Sequence, residues 1–110
     1  MSKDKYRLLV ADDDSPVRDH ICMVTEFSGW ATAEAASNGQ EALSKLETNS
    51  YDLILMDCQM PVIDGYEATR RLRALGNNTP IIGLTAVLSP EARAKGLAAG
   101  MNQPPWTESP

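Results

Sequence analysis

The sequence predicts a doubly wound α/β domain, in which one parallel sheet carries helices on both faces. Apolar runs of strand type alternate along the chain with segments of helical periodicity, from Tyr6 to Gly100. Strands joined by helical crossovers form parallel sheets with right-handed connections. The run from Leu53 to Met56 is apolar at every position, which is typical of a strand buried on both faces of such a sheet.

Length and composition limit the class of protein. The chain has 110 residues, of which 43% are hydrophobic and 23% charged, as in an ordinary globular domain. Its net charge of −5 argues against nucleic acid or anionic lipid as a partner, because phosphate binding depends on lysine and arginine. No apolar run approaches the roughly 20 residues of a spanning helix, and the first residues lack the apolar core of a signal peptide. We therefore expect one cytoplasmic domain without membrane contact.

The first half of the chain predicts two strand–helix pairs. The run 6–11 is the first strand, and Ser15 offers an N-cap hydroxyl for a helix that ends near Phe27. A weaker second strand at 30–37 leads through the turn Asn38-Gly39 into the second helix. Taken in sequence, the two pairs give the order strand, helix, strand, helix, which begins with a βαβ unit.

The second half repeats this alternation. The third strand is 53–56, and Asp64 caps a helix that runs from Gly65 to about Leu75. A fourth strand at 81–85 is followed by a helix that ends at Gly100. Three arginines of the third helix are expected to be largely solvated: Arg70, Arg71 and Arg73.

Acidic residues directly follow two of the predicted strands. Asp12 and Asp13 come after the first strand and Asp57 after the third. Carboxylates crowded at one edge of a sheet repel one another, and protonation or a bound hard cation relieves this repulsion. Mg²⁺ is the favoured cation, Asp57 the favoured nucleophile toward phosphorus, and Thr85 a hydroxyl donor to a phosphoryl oxygen. Taken alone, each residue also fits a structural role, since aspartates cap helices and threonines favour strands.

Four motifs surround these residues: LLVADDD at 8–14, LILMDCQMPVIDGYEATRRLR at 53–73, IIGLTA at 81–86 and AAGMN at 98–102. Together they resemble the receiver domains of two-component response regulators and hybrid histidine kinases. The resemblance covers about Lys5 to Asn102. It implies a flavodoxin-like sheet with the strand order 2-1-3-4-5.

The resemblance also implies a role for each site residue. Asp57 is expected to be the phosphoacceptor, with Thr85 as the switch hydroxyl and Ala86 leaving room for the phosphoryl group. The implied Mg²⁺ ligands are Asp13, Asp57, the backbone carbonyl of Gln59 and, through a bound water, Asp12. Members of this family take the phosphoryl group from a histidine kinase or a histidine phosphotransfer domain, and they later hydrolyse the acyl phosphate themselves.

The C-terminal end departs from the family pattern. The predicted receiver spans 1–102, and the divergent tail 103–110 lacks the family's lysine, whose position falls on Thr107 when no gap is introduced. Two consecutive prolines suit at best a poor edge strand, so we expect the fifth strand and fifth helix to be missing or aberrant. Loss of the lysine should impair phosphoryl transfer, because its ammonium would pair with a phosphoryl oxygen.

Two functions remain open from the sequence. One is a phosphorelay receiver that accepts a phosphoryl group on Asp57 with Mg²⁺. The other is a truncated, phosphorylation-impaired receiver that serves as a docking or dimerisation module, since an exposed fourth strand favours a homodimer or strand-exchanged dimer. A small nucleotide-binding domain is disfavoured, because no glycine-rich phosphate loop follows the first strand.

Overall fold

The computed structural model describes residues 5–84 and 89–102. Within these ranges the strands are β1 (Tyr6–Ala11), β2 (Ala31–Ala36), β3 (Leu53–Met56) and β4 (Ile81–Gly83). The helices are α1 (Ser15–Ser28), α2 (Gly39–Thr48), α3 (Gly65–Ala74) and α4 (Pro90–Ala99). None of these four helices has both the length and the apolar character needed to cross a membrane. The predicted alternation of strands and helices is confirmed.

The four strands form one parallel sheet in the order β2-β1-β3-β4. This is the predicted doubly wound arrangement, with β1 and β3 at the centre of the sheet. Ala11 lies in register with Ala36 of β2 and with Met56 of β3, so these three strands end together at one edge. The residues that follow Ala11 and Met56 therefore emerge side by side.

The main hydrophobic core lies between one face of the sheet and the helices α2, α3 and α4. Leu9, Ile54 and Met56 of the two central strands are fully buried in it. They pack in one cluster with apolar side chains from the covering helices, among them Leu46 and Leu72. Burial of each such side chain stabilises the fold by roughly 1.5–3 kcal/mol. The core thus fixes the central strands and the edge at which they end.

The N-cap of α1 differs from the prediction. Asp14 is the N-cap, since its side chain accepts the Val17 N–H at 3.4 Å and its carbonyl accepts the Arg18 N–H at 2.9 Å. Ser15 is instead the first residue of the helix, so its predicted capping role is wrong. Aspartate and serine favour the N-cap about equally, and the apolar spacing of the helix does not separate two adjacent candidates.

The outer edge of β4 is partly covered. Asn102 donates its backbone N–H to the Ile81 carbonyl at 2.7 Å, and its side-chain oxygen accepts the Ile81 N–H at 2.9 Å. The expectation of an exposed edge is therefore wrong at Ile81. Residues 5–84 and 89–102 contain no fifth strand, and the predicted tail 103–110 lies outside them. A dimer formed through this edge stays a prediction.

Candidate functional site

Three carboxylates meet at the carboxyl edge of the sheet. Asp12 and Asp13 follow β1, Asp57 follows β3, and one oxygen from each lies within 4.8 Å of the other two. Asp12 is buried, Asp57 is half-buried and Asp13 is exposed. The predicted convergence of these residues is therefore present in the fold, and the cluster opens to solvent on the Asp13 side.

Backbone hydrogen bonds extend the sheet into this cluster. Asp57 donates its N–H to the Ala11 carbonyl at 2.8 Å, and Asp12 donates its N–H to the Ala36 carbonyl at 3.0 Å. The Asp12 carboxylate in turn accepts the N–H of Asp14 at 2.9 Å. Both aspartates thus continue the strands that precede them, so the sheet itself sets the spacing of their side chains.

The loop from β3 to α3 folds back on itself directly after Asp57. Its two ends are joined by a hydrogen bond from the Gly65 N–H to the Cys58 carbonyl at 3.0 Å. A side chain at Gly65 would collide with the carbonyl group of Asp57, so glycine allows the start of α3 to press against the end of β3. Val62, in the same loop, has a φ of 72°, and Ile63 bonds back to Pro61 at 2.9 Å.

The electrostatics of the cluster are repulsive. Burial, and then the negative charge of Asp12, raise the pKa of Asp57 to about 6, with a smaller contribution from Asp13. The Gln59 N–H, 3.4 Å from the carboxylate, acts in the opposite direction by stabilising the charged form. Three close oxygen donors of like charge suit a hard divalent cation, which would remove the repulsion. The residues present therefore fit Mg²⁺.

The remaining predicted site residues have different outcomes. Gln59 is exposed and lies beside Asp57, while the ligand role of its carbonyl stays a prediction. Thr85 and Ala86 lie outside the described residues.

The sequence interpretation missed Arg18, whose Nη1 donates to the Asp12 carbonyl at 2.8 Å. Its position in the first turns of the helix that follows the acidic run was the available signal.

Comparison with known proteins agrees with this geometry. The order of the strands and the acidic edge define a CheY-like α/β domain. The chain belongs to the response regulator receiver domain family, whose model matches residues 8–104.

Two curated relatives illustrate the relationship. Response regulator MprA from Mycobacterium sp. (strain KMS) is 42% identical over 94 residues, which are 86% of this chain and 40% of that protein. Sensor protein EvgS from Escherichia coli (strain K12) is 39% identical over 99 residues, which are 90% of this chain and 8% of that protein. The chain therefore spans less than half the length of each.

Solved structures share the fold over most of the chain. The receiver domain of the Francisella response regulator 1452 has a TM-score of 0.82 and 38% identity, covering 89% of this chain and 80% of its own. The receiver domain of the sensor histidine kinase PA1611 from Pseudomonas aeruginosa PAO1 has a TM-score of 0.75 and 38% identity, covering 89% and 81%. That structure has a magnesium ion coordinated in its active site cleft.

Proposed function

We propose that this receiver domain accepts a phosphoryl group on Asp57 from a phosphohistidine donor, with Mg²⁺ bound beside it. The observation that carries the proposal is the cluster of Asp12, Asp13 and Asp57, with oxygens within 4.8 Å of one another. Asp57 directly follows the central strand β3 and is half-buried, whereas Asp12, which follows the central strand β1, is buried, so Asp57 is the more accessible of these two carboxylates.

Metal binding follows from the donor set. Asp13 and Asp57 would hold Mg²⁺ with the carbonyl of Gln59, and Asp12 would hold a water bound to the ion. Such an ion would neutralise the carboxylates and supply positive charge to stabilise the incoming phosphoryl group. The magnesium reported in the PA1611 receiver supports this part of the proposal.

The chemical step falls to the Asp57 carboxylate. One of its oxygens attacks phosphorus, and the bond from phosphorus to the donor imidazole nitrogen breaks. The imidazole, already protonated on its other ring nitrogen, leaves as the neutral ring. Without metal the pKa of Asp57 is about 6, so most of the carboxylate is already ionised at neutral pH, and a bound cation would favour the ionised form further. Thr85 would donate its hydroxyl to a phosphoryl oxygen, and Ala86 would leave space for the group. Water later hydrolyses the acyl phosphate and restores the carboxylate.

The proposed partner is a histidine kinase or a histidine phosphotransfer domain, in the cytoplasm. The relatives named as a response regulator and as sensor proteins support a place in a phosphorelay. We propose the receiver limits as 1–102, with 103–110 as a separate tail. The complete acidic cluster favours the phosphoacceptor over a docking or dimerisation module, in which nothing would require these three carboxylates to converge.

Intact-mass spectrometry tests the proposal. The protein is incubated with acetyl phosphate and Mg²⁺, and separately with a phosphorylated histidine phosphotransfer domain. We expect one phosphoryl adduct in the wild type and in Asp19→Asn, a matched change on the exposed side of α1, and none in Asp57→Asn. An adduct that persists in Asp57→Asn, or a wild type that binds Mg²⁺ and takes up no phosphoryl group from either donor, overturns the proposal.

A further inference from the structure

We infer that Arg18 is a positioning residue for the metal site. By holding the Asp12 carbonyl, it fixes the position of Asp13. This inference rests on the proposed Mg²⁺-dependent function. Its basis is one contact: Nη1 of Arg18 donates to the Asp12 carbonyl oxygen at 2.8 Å. Arg18 is half-buried, and its guanidinium binds the backbone of the acidic run, six residues earlier in the chain.

The reach of Arg18 follows from helix geometry. Its own N–H donates to the Asp14 carbonyl at 2.9 Å, so Arg18 is within the first hydrogen-bonded turn of α1. Side chains on a helix lean toward its N-terminus, over the preceding turn. A long side chain at this position therefore extends back past the N-cap to the end of β1, where Asp12 lies.

The three carboxylates are held in different ways. The Asp12 carboxylate accepts the Asp14 N–H at 2.9 Å, and Asp57 accepts the Gln59 N–H at 3.4 Å. Within the described residues, no hydrogen bond holds the Asp13 carboxylate, which is exposed. The place of Asp13 therefore depends on its backbone more than on contacts of its side chain.

Arg18 controls that backbone. The Asp12 carbonyl and the Asp13 N–H belong to one planar peptide unit, so the direction of the carbonyl sets where Asp13 leaves the strand. On its other side, Asp12 is fixed by the hydrogen bond from its N–H to the Ala36 carbonyl at 3.0 Å. A hydrogen bond from a charged guanidinium to a carbonyl is stronger than a neutral one. Arg18 thus completes the support of the peptide that carries Asp13.

Whether Arg18→Gln weakens or tightens Mg²⁺ binding distinguishes a positioning role of Arg18 from a simple electrostatic one. Arg18 is a cation near an acidic site, so charge alone predicts that Arg18→Gln tightens Mg²⁺ binding. Loss of a supporting hydrogen bond predicts the opposite, a roughly 10-fold weaker affinity, as for other residues that orient metal ligands. Arg18→Lys keeps the charge and a donor, and should recover part of the loss.

Isothermal titration calorimetry on the whole chain measures these affinities. Arg70→Gln is the matched control, since Arg70 is exposed on α3 and pairs with Glu67 at 3.1 Å. We expect Arg18→Gln to bind Mg²⁺ more weakly than the wild type and Arg70→Gln to bind it equally well. In Arg18→Gln, the loss of affinity should be smaller for Ca²⁺ than for Mg²⁺. Mg²⁺ demands a stricter arrangement of ligands than Ca²⁺, whereas a general loss of folding would affect both ions alike.

A double-mutant cycle with Asp13→Asn tests the route of the effect. If Arg18 acts through Asp13, Arg18→Gln should change Mg²⁺ affinity little once Asp13 no longer carries a charged ligand. Unchanged or tighter binding in Arg18→Gln, or full additivity with Asp13→Asn, overturns the inference. A wild type that binds no Mg²⁺ overturns the proposed function itself, so the two failures are distinguishable.

Discussion

Nη2 of Arg73 lies 3.0 Å from the side-chain oxygen of Asn102, between the end of α3 and the outer edge of β4. The same guanidinium donates to the carbonyls of Gly100, Asn77 and Thr79 at 2.9, 2.9 and 2.8 Å. Arg73 therefore joins the C-terminal ends of two helices to the segment that enters β4. Its positive charge also suits both helix ends, where carbonyl groups give a partial negative charge.

Replacing Arg73 should destabilise the fold more than replacing an exposed arginine. Arg73→Met leaves several half-buried carbonyls without their donor, and we expect a loss of about 2 kcal/mol in the free energy of unfolding. Arg70→Met on the same helix removes only an exposed ion pair with Glu67 and should cost less than about 1 kcal/mol. Urea denaturation measures both, and equal losses in the two variants would contradict the structural role of Arg73.

The raised pKa of Asp57 predicts an unusual pH dependence in the absence of metal. The folded state binds this proton more tightly than the unfolded chain, since the pKa is about 6 when folded and about 4 when unfolded. The resulting stabilisation is complete below about pH 4 and is lost as the pH rises through 6. Asp57→Asn should therefore stabilise the protein on the order of 1 kcal/mol at pH 7.5, after solvent screening.

Urea denaturation in a chelating buffer at several pH values measures this contribution. The gain from Asp57→Asn should disappear at pH 4, where the wild-type carboxyl is already neutral. Asp19→Asn, at an exposed position of α1, is the matched control for the loss of one carboxylate outside the cluster. A gain from Asp57→Asn that is the same at pH 4 and pH 7.5 would instead indicate an effect unrelated to its charge.

The acidic cluster was predictable because each of its aspartates directly follows an apolar strand. In a parallel sheet, that placement brings Asp12 and Asp57 to one edge, and the strand order 2-1-3-4-5 implied by the resemblance to receiver domains makes their strands neighbours. The same reasoning fails for Arg73, which was expected to be largely solvated and is instead half-buried. Its partners include the backbone carbonyls of Gly100, at the end of α4, and of Asn77 and Thr79, in the segment that enters β4, and carbonyls leave no signal in the residue types. The contact of Arg18 is also with a carbonyl, and only the position of Arg18 shortly after the acidic run could have indicated it.

Val62 has a positive φ of 72°, a conformation that is costly for a β-branched residue. The side chain is 78% exposed, so its removal costs little packing. We expect Val62→Gly to raise the free energy of unfolding by about 1 kcal/mol, since relief of strain exceeds the added entropy of the unfolded chain. Val62→Ala keeps the Cβ atom and should gain less. A glycine variant that urea denaturation shows to be less stable than the alanine variant would contradict this account.

Gly65→Ala and Gly29→Ala are the same kind of substitution, but we expect them to destabilise the fold for different physical reasons. A Cβ atom at Gly65 would collide with the Asp57 carbonyl, so Gly65→Ala must displace either the start of α3 or the end of β3. Gly29 has a φ of 82° and open space around it, so Gly29→Ala costs only about 1 kcal/mol of backbone strain. We expect Gly65→Ala to cost more than about 2 kcal/mol in urea denaturation, because the colliding atoms belong to the backbone.

The two glycine variants should also differ in Mg²⁺ affinity. Displacement of the Asp57 backbone moves one of the three carboxylates, so calorimetry should show weaker Mg²⁺ binding in Gly65→Ala and wild-type binding in Gly29→Ala. Because Gly29→Ala also lowers stability, it controls for loss of folding without a change at the site. Wild-type Mg²⁺ affinity in a folded Gly65→Ala protein would mean that the contact between α3 and β3 does not position the phosphoacceptor.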